Sequence, residues 1–207
     1  MEAVPAVILA GGQARRMGGG DKCLLDLGGQ TVLGCVLERL RPQAGPVALN
    51  ANGDPARFAP FGLPVLPDSV PGFAGPLAGV LAGLDWAAER GAERIVSVAA
   101  DTPFFPADLV ARLLAAADGS GARVVLAATD EAERGPRRHP TFGLWPVALR
   151  EDLRRALDGG LRKVVQWTDR HGAASAVFAS GGADPFFNVN TAADLETARA
   201  MFRDMQR

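Results

Sequence analysis

The apolar run from Val4 to Ala10, halted by Gly11-Gly12, constrains this chain more than any other stretch. It is short, rich in branched side chains and apolar at consecutive positions, as a strand buried on both faces must be. Three more glycines, Gly18, Gly19 and Gly20, follow in a loop that also holds Arg15 and Arg16, with Lys22 just beyond. Glycine lets backbone N–H groups approach an anion because no Cβ stands in the way. Arg and Lys supply the positive charge that a polyphosphate requires. A buried strand opening into such a loop predicts a phosphate cradle.

The rest of the chain alternates between two periodicities. Thr31 is a suitable N-cap for a helix to about Leu40, whose apolar residues recur at helical spacing before Pro42 and Gly45. Strands are expected at Val47 to Leu49, Leu63 to Leu66, Ile95 to Ala99, Val124 to Ala128, Thr141 to Leu144 and Ala176 to Ala179. Helices are expected at Leu77 to Arg90, Pro106 to Ala117, Val147 to Leu157 and Leu161 to His171. Thr191 would cap a last helix, Ala192 to Met205. Residues 129–140, rich in Asp, Glu, Arg and Pro, read as a polar loop. Strand–helix alternation predicts an α/β fold with a mainly parallel central sheet and helices on both faces. In such sheets ligands sit beyond the carboxyl ends of the strands. Gly11, Asn50, Asp68 and Asp101 each follow an expected strand, so folding would gather them along one edge.

The chain's 207 residues suffice for one α/β domain, read as spanning 1–207. A net charge of −1 gives no general attraction to nucleic acid or membrane surfaces. The first apolar run is too short to span a membrane and lacks a basic flank, so the cytoplasm is the expected compartment. Cys23 and Cys35 make neither a disulfide framework nor a metal-ligand spacing, and neither has a recognisable activating partner.

Candidate site residues follow from chemistry. Arg16 and Lys22 would offset phosphate charge, whereas Arg15 is open between function and a solvated loop. Asp101 is the metal candidate, because Mg²⁺ binds through one or two carboxylates plus substrate phosphates and water. Its competing role is an N-cap, but Thr102, Pro103 and two phenylalanines separate it from the next helix. A carboxylate at Asp68 can accept two adjacent N–H donors of a nucleobase together, a pair that guanine presents and cytosine does not, with Asn50 a second candidate for the base. Asp68 could instead open the turn from Ser69 to Gly72. Asn188 and Asn190 place two amides on one side of an extended segment, for a second substrate or a metal shell. Arg137, Arg138 and His139 could meet an anionic second substrate, although a polar loop is ordinarily solvated. His171 reads as structural, and Phe104-Phe105 and Phe186-Phe187 as core pairs.

The glycine loop matches neither the G-x-G-x-x-G fingerprint nor the G-x-x-x-x-G-K-[ST] loop, since Lys22 precedes Cys23. Its signature L-A-G-G-x-x-x-R-M-G-x-x-K, from Leu9 to Lys22, resembles the molybdenum cofactor guanylyltransferases, which join GMP to molybdopterin. Asn50-Ala51-Asn52, Pro67-Asp68-Ser69, Gly75-Pro76-Leu77-Ala78-Gly79, Asp101-Thr102-Pro103, His139-Pro140-Thr141 and Asn188-Val189-Asn190-Thr191 fall in that family's order. The resemblance implies a Rossmann-like nucleotidyltransferase fold and Mg²⁺ as cofactor, with Mn²⁺ the open alternative. It implies nucleotide contacts at Leu9, Ala10, Gly11, Gly12, Lys22, Asn50, Asp68 and Asp101. The implied partners are GTP and molybdopterin, with molybdoenzyme apoproteins or their chaperones as receivers of the product. The competing readings are a cytidylyl- or sugar-1-phosphate nucleotidyltransferase, and a non-catalytic nucleotide-binding module. Gly11-Gly12 departs from the L-A-A-G loop of related cytidylyltransferases, and Arg16-Met17-Gly18 from the sugar enzymes' G-x-R-L.

Overall fold

The computed structural model describes residues 3–11, 21–72, 75–131, 135–179 and 184–206. The strands are β1 (Ala6–Leu9), β2 (Val47–Asn50), β3 (Val65–Leu66), β4 (Arg94–Ala99), β5 (Val125–Glu131), β6 (Gly135–Pro146) and β7 (Ala174–Phe178). They form one sheet in the order β3-β2-β1-β4-β6-β5-β7. Among the described strands only β6 runs against the rest, antiparallel to both β4 and β5. The sheet is therefore mixed but mainly parallel, as the alternation predicts.

Period-two side-chain alternation explains the layers. Ala6 and Ile8 of β1 join a core with helices α1 (Val32–Leu40) and α3 (Leu109–Ser120). Val7, between them, joins the opposite core with α2 (Pro76–Ala88), α4 (Arg150–Asp158) and α5 (Val164–Arg170). Helices thus cover both faces. The last helix, α6 (Ala192–Met205), packs Leu195, Ala198 and Phe202 over Leu27, Val32 and Cys35, outside α1. Thr191 and Asp194 form its reciprocal capping box, which is why the expected start and the observed start coincide.

Several boundaries differ for local physical reasons. Helix α3 starts at Leu109, not Pro106, with Asp108 at the N-cap position. Asp108 makes no side-chain cap there; Gln43 Oε1 accepts from Val110 N at 3.1 Å instead. Gly121 at φ 68 ends the helix in the left-handed conformation, three residues beyond the expected stop. Residues Val147–Leu149 form a 3₁₀ turn ahead of α4, and α5 begins only at Val164.

The largest correction concerns residues 129–140. Residues 129–131 and 135–140 are not a loop but the outer halves of β5 and β6, paired from Thr129↔Arg137 to Glu131↔Gly135. Strand β6 pairs with β4 only from Ser97↔Gly143 to Arg94↔Pro146, so its first half runs on past the end of β4. The composition signals exposure there, whereas pairing with β5 fixes the extended backbone.

The strand order places β1 between β2 and β4, both parallel to it. The chain leaves β1 to one side and later returns on the other, so the carboxyl end of β1 is the topological switch point. Gly11 lies just beyond that end.

Candidate functional site

In-register ends set the site. Leu9 lies opposite Asn50 and Ala99, and Asn50 lies opposite Leu66. Gly11, Asp68 and Asp101 each follow those ends by two positions, so the sheet gathers them along its carboxyl edge as predicted.

On one side of the switch point stands an amide–carboxylate cluster. Asn50 is 2% exposed. Its Nδ2 donates to Leu66 O at 3.1 Å and to Asp68 Oδ1 at 3.0 Å. Burying this amide is tolerable because both donors are satisfied. Helix α2 comes close enough to cover Asn50 because Gly79 has no side chain. A Cβ there would lie 2.2 Å from Asn50 Oδ1, and one on Gly11 would lie 3.4 Å from it. Asn52 grips the same carboxylate from the other side. Its Nδ2 donates to Asp68 Oδ2 at 2.8 Å, while its Oδ1 accepts from Asp68 N at 2.9 Å.

On the other side Leu9, Ala10, Asp21, Lys22, Cys23, Ala100 and Asp101 line a cleft. Lys22 Nζ donates to Asn190 Oδ1 at 3.0 Å. Burial pushes the Asp101 carboxyl above its ordinary value, opposed by the nearby Lys22 ammonium and the Thr102 hydroxyl. The Asp101 carbonyl accepts from Val189 N at 2.8 Å, which lays the 188–190 segment beside it. Thr102 Oγ1 lies 2.5 Å from Asn188 Oδ1 and 3.3 Å from Asp101 Oδ1. Lys22, Asp101, Asn188 and Asn190 therefore converge. The N-cap role for Asp101 falls away, because Asp108 holds that position in α3. A desolvated carboxylate among amide and hydroxyl oxygens is a hard-donor setting, and it suits a cation completed by phosphate and water.

Gly12, Arg15 and Arg16 lie outside the described residues. Arg137, Arg138 and His139, left open between a substrate contact and a solvated loop, are tied within the fold. Arg137 pairs with Asp184 at 2.6 Å, and Arg138 with Asp169 at 2.6 Å. His139 stacks on Phe186 at 4.1 Å with its Nε2 at 3.0 Å from Thr129 Oγ1. His171 sits at the end of α5, 2.9 Å from Asp152 Oδ1, in the structural role expected. Phe104, Phe105 and Phe186 are buried in the cores. Burial pushes the Cys23 thiol up to about 12 and the Cys35 thiol up to about 11.

Sequence reasoning missed three contributors. Asn52 stands in the quoted N-A-N motif, but nothing local marks it as a partner of Asp68. Thr102 stands in the D-T-P motif, but the sequence assigns it no contact of its own. Arg57, which reaches Asp21 Oδ2 at 2.5 Å, lies in a stretch without motif character.

A mainly parallel sheet with a glycine, a lysine and a buried carboxylate at its switch point is the frame of a nucleotidyltransferase. Residues 6–174 match the family described as the MobA-like NTP transferase domain. A relative named molybdenum cofactor guanylyltransferase from Bradyrhizobium sp. is 55% identical over 202 residues, covering 96% of this chain and 93% of that protein. One of the same name from Mesorhizobium japonicum is 49% identical over 207 residues, covering 98% and 97%. The crystal structure of molybdopterin-guanine dinucleotide biosynthesis protein A from Archaeoglobus fulgidus superposes with a TM-score of 0.73. That match covers 98% of this chain and 100% of the other at 21% identity, and it establishes likeness of fold. The chain belongs to the molybdenum cofactor guanylyltransferase family.

Proposed function

We propose that this protein transfers GMP from GTP to molybdopterin, releasing pyrophosphate and forming the guanine dinucleotide form of the cofactor. The observation that carries this reading is the convergence of Lys22 and Asp101 with Asn188 and Asn190, beside the Asn50–Asp68 cluster. One half of that arrangement suits phosphates, and the other suits a base.

In the reaction, a terminal phosphate oxygen of molybdopterin attacks the α-phosphorus of GTP in line. The bond from that phosphorus to the bridging oxygen breaks, and its electron pair leaves with pyrophosphate. The protein contributes positioning and charge neutralisation rather than covalent chemistry. Leu9, Ala10, Gly11 and Gly12 hold the nucleotide through the backbone. Lys22, fixed by Asn190, and Arg16 offset the charge that builds on the leaving group. Asp101 holds Mg²⁺, which when bound supplies further neutralisation of the polyphosphate. Asn188 and Asn190 face the second substrate, and Asp68 with Asn50 receives guanine. The thiols serve as no nucleophile here, since burial holds Cys23 protonated at neutral pH.

Residues 1–207 act as one such unit in the cytoplasm, handing product to molybdoenzyme apoproteins or their chaperones. Among the described residues no helix is long and apolar enough to cross a membrane. The test is pyrophosphate release from GTP and molybdopterin with Mg²⁺. Asp101→Asn should keep the wild-type circular dichroism and melting temperature, yet lose about a hundredfold or more in turnover. Near wild-type turnover would remove Asp101 from the site. Tight GTP binding without turnover in the wild type would favour a non-catalytic module.

A further inference from the structure

A chain of hydrogen bonds runs from the exit of the glycine loop to the Asp68 carboxylate. Asp21, next to Lys22, accepts from Arg57 Nε at 2.5 Å. Arg57 Nη2 donates to the carbonyl of Asn52 at 2.7 Å, and Nη1 to the carbonyl of Asp54. The guanidinium lies 4.5 Å above the ring of Phe58, which is fully buried. Arg57 is therefore held from three sides and in turn fixes the Asn52 backbone. Asn52 then makes two bonds to Asp68, one to its carboxylate and one from its main-chain N–H. The next residue is anchored from the far side. Ser69 Oγ donates to Asp85 Oδ2 at 2.7 Å, and Arg154 Nη2 reaches both Asp85 oxygens at 2.7 and 2.9 Å.

The consequence falls on the Asp68 side chain. One oxygen takes the Asn50 amide and the other takes the Asn52 amide. An ionised carboxylate has about four lone-pair sites on its two oxygens, so each oxygen keeps capacity for one more donor. With both oxygens pinned, the plane of the carboxylate is set before any ligand arrives. A carboxylate free to turn would meet two adjacent donors in many wrong orientations, and preorganisation removes that loss.

We propose that Asn52, braced by Arg57, is a positioning residue for base selection, holding the Asp68 carboxylate in the one plane that accepts two adjacent donors together. Its bonds go to Asp68 and Arg57 rather than to Lys22 or Asp101, and it acts through Asp68. The inference rests on the reading that Asp68 receives guanine. The ligand class is a purine with neighbouring ring N–H and exocyclic amino donors. Inosine triphosphate lacks the amino group and reports on that pairing alone.

The experiment is calorimetric binding of GTP and ITP to the full chain, which needs no acceptor substrate and no turnover. The variants are Asn52→Leu, Asp68→Asn, their double mutant and Arg57→Met, with melting temperatures measured throughout. Asn52→Ser replaces Asn52→Leu where the latter fails to fold. Wild type should prefer GTP, and Asp68→Asn should abolish the preference. Asn52→Leu should reduce it about tenfold at near wild-type melting temperature. The double mutant should be no worse than Asp68→Asn, and Arg57→Met should shift the ratio in the same direction by less. A merely structural role would weaken both nucleotides equally and leave the ratio unmoved. An unmoved ratio in Asn52→Leu beside a collapsed one in Asp68→Asn would overturn the strut while sparing the base reading. An unmoved ratio in Asp68→Asn itself would remove Asp68 as the base reader, and the proposal with it.

Discussion

At Gly79 the presence of one hydrogen rather than a methyl decides whether helix α2 can rest on the site. The added Cβ of an alanine would sit 2.2 Å from Asn50 Oδ1, 2.8 Å from its Cγ and 2.9 Å from Leu9 Cδ2. Nothing there can move cheaply, because the Asn50 amide is held at both Leu66 and Asp68. Gly79→Ala should therefore lower unfolding stability by about 1–3 kcal/mol, as overpacking does. It should also weaken GTP binding by about tenfold through the displaced Asn50. Gly119→Ala is the matched control, since its added methyl meets nothing within 4 Å. That change should be neutral or stabilising by up to about 1 kcal/mol, the helical advantage of Ala over Gly. Urea unfolding and GTP calorimetry on the two variants check both statements. Equal behaviour of the pair would show that Gly79 owes nothing to Asn50.

The element with the most to reveal is the β5–β6 hairpin. It carries His139, packed flat on Phe186 and bonded to Thr129, with Arg137 and Asp184 paired nearby. Burial lowers the His139 pKa from 6.5 to about 4; Arg137 adds to the fall, and Asp184 opposes it. The unfolded chain binds this proton first on acidification. The stabilisation is thus fully present above about pH 6.5 and is lost progressively as pH falls to about 4. Subtracting the unfolding free energy of His139→Gln from that of wild type across this window isolates the effect. The difference should shrink as pH drops. Parallel curves would mean that His139 titrates as if exposed. The same strand pair shows why residues 129–131 and 135–140 read as a loop in the sequence. Asp, Glu, Arg and Pro report solvent contact, which a β-ribbon running past the end of β4 also provides. Helix α6 is the opposite case, because its capping box is local and its start is written in Thr191 and Asp194.

Across the whole molecule, the site joins segments from both ends of the chain. Lys22 reaches Asn190 over a separation of 168 residues, and Asp101 accepts from Val189. On the proposed function, a nucleotide held by β1, β2, β3, β4 and this C-terminal segment would stabilise all of them at once. GTP with Mg²⁺ at a hundred times its dissociation constant should raise unfolding stability by about 2.7 kcal/mol in one cooperative transition. Hydrogen exchange should slow at Val189 as well as along β1. Protection that stops short of residues 188–190 would detach that segment from the site. By itself the sequence determined the alternation of strands and helices, and hence one edge for Gly11, Asn50, Asp68 and Asp101. Those follow from periodicity and from where ligands sit in parallel sheets, both local or general rules. Only the tertiary structure decided that Asn52 and Asn50 share Asp68, that Arg57 braces Asn52, and that Asn190 fixes Lys22. Those bonds join side chains from different loops, and their geometry exists only once sheet order and helix packing have set the distances between them.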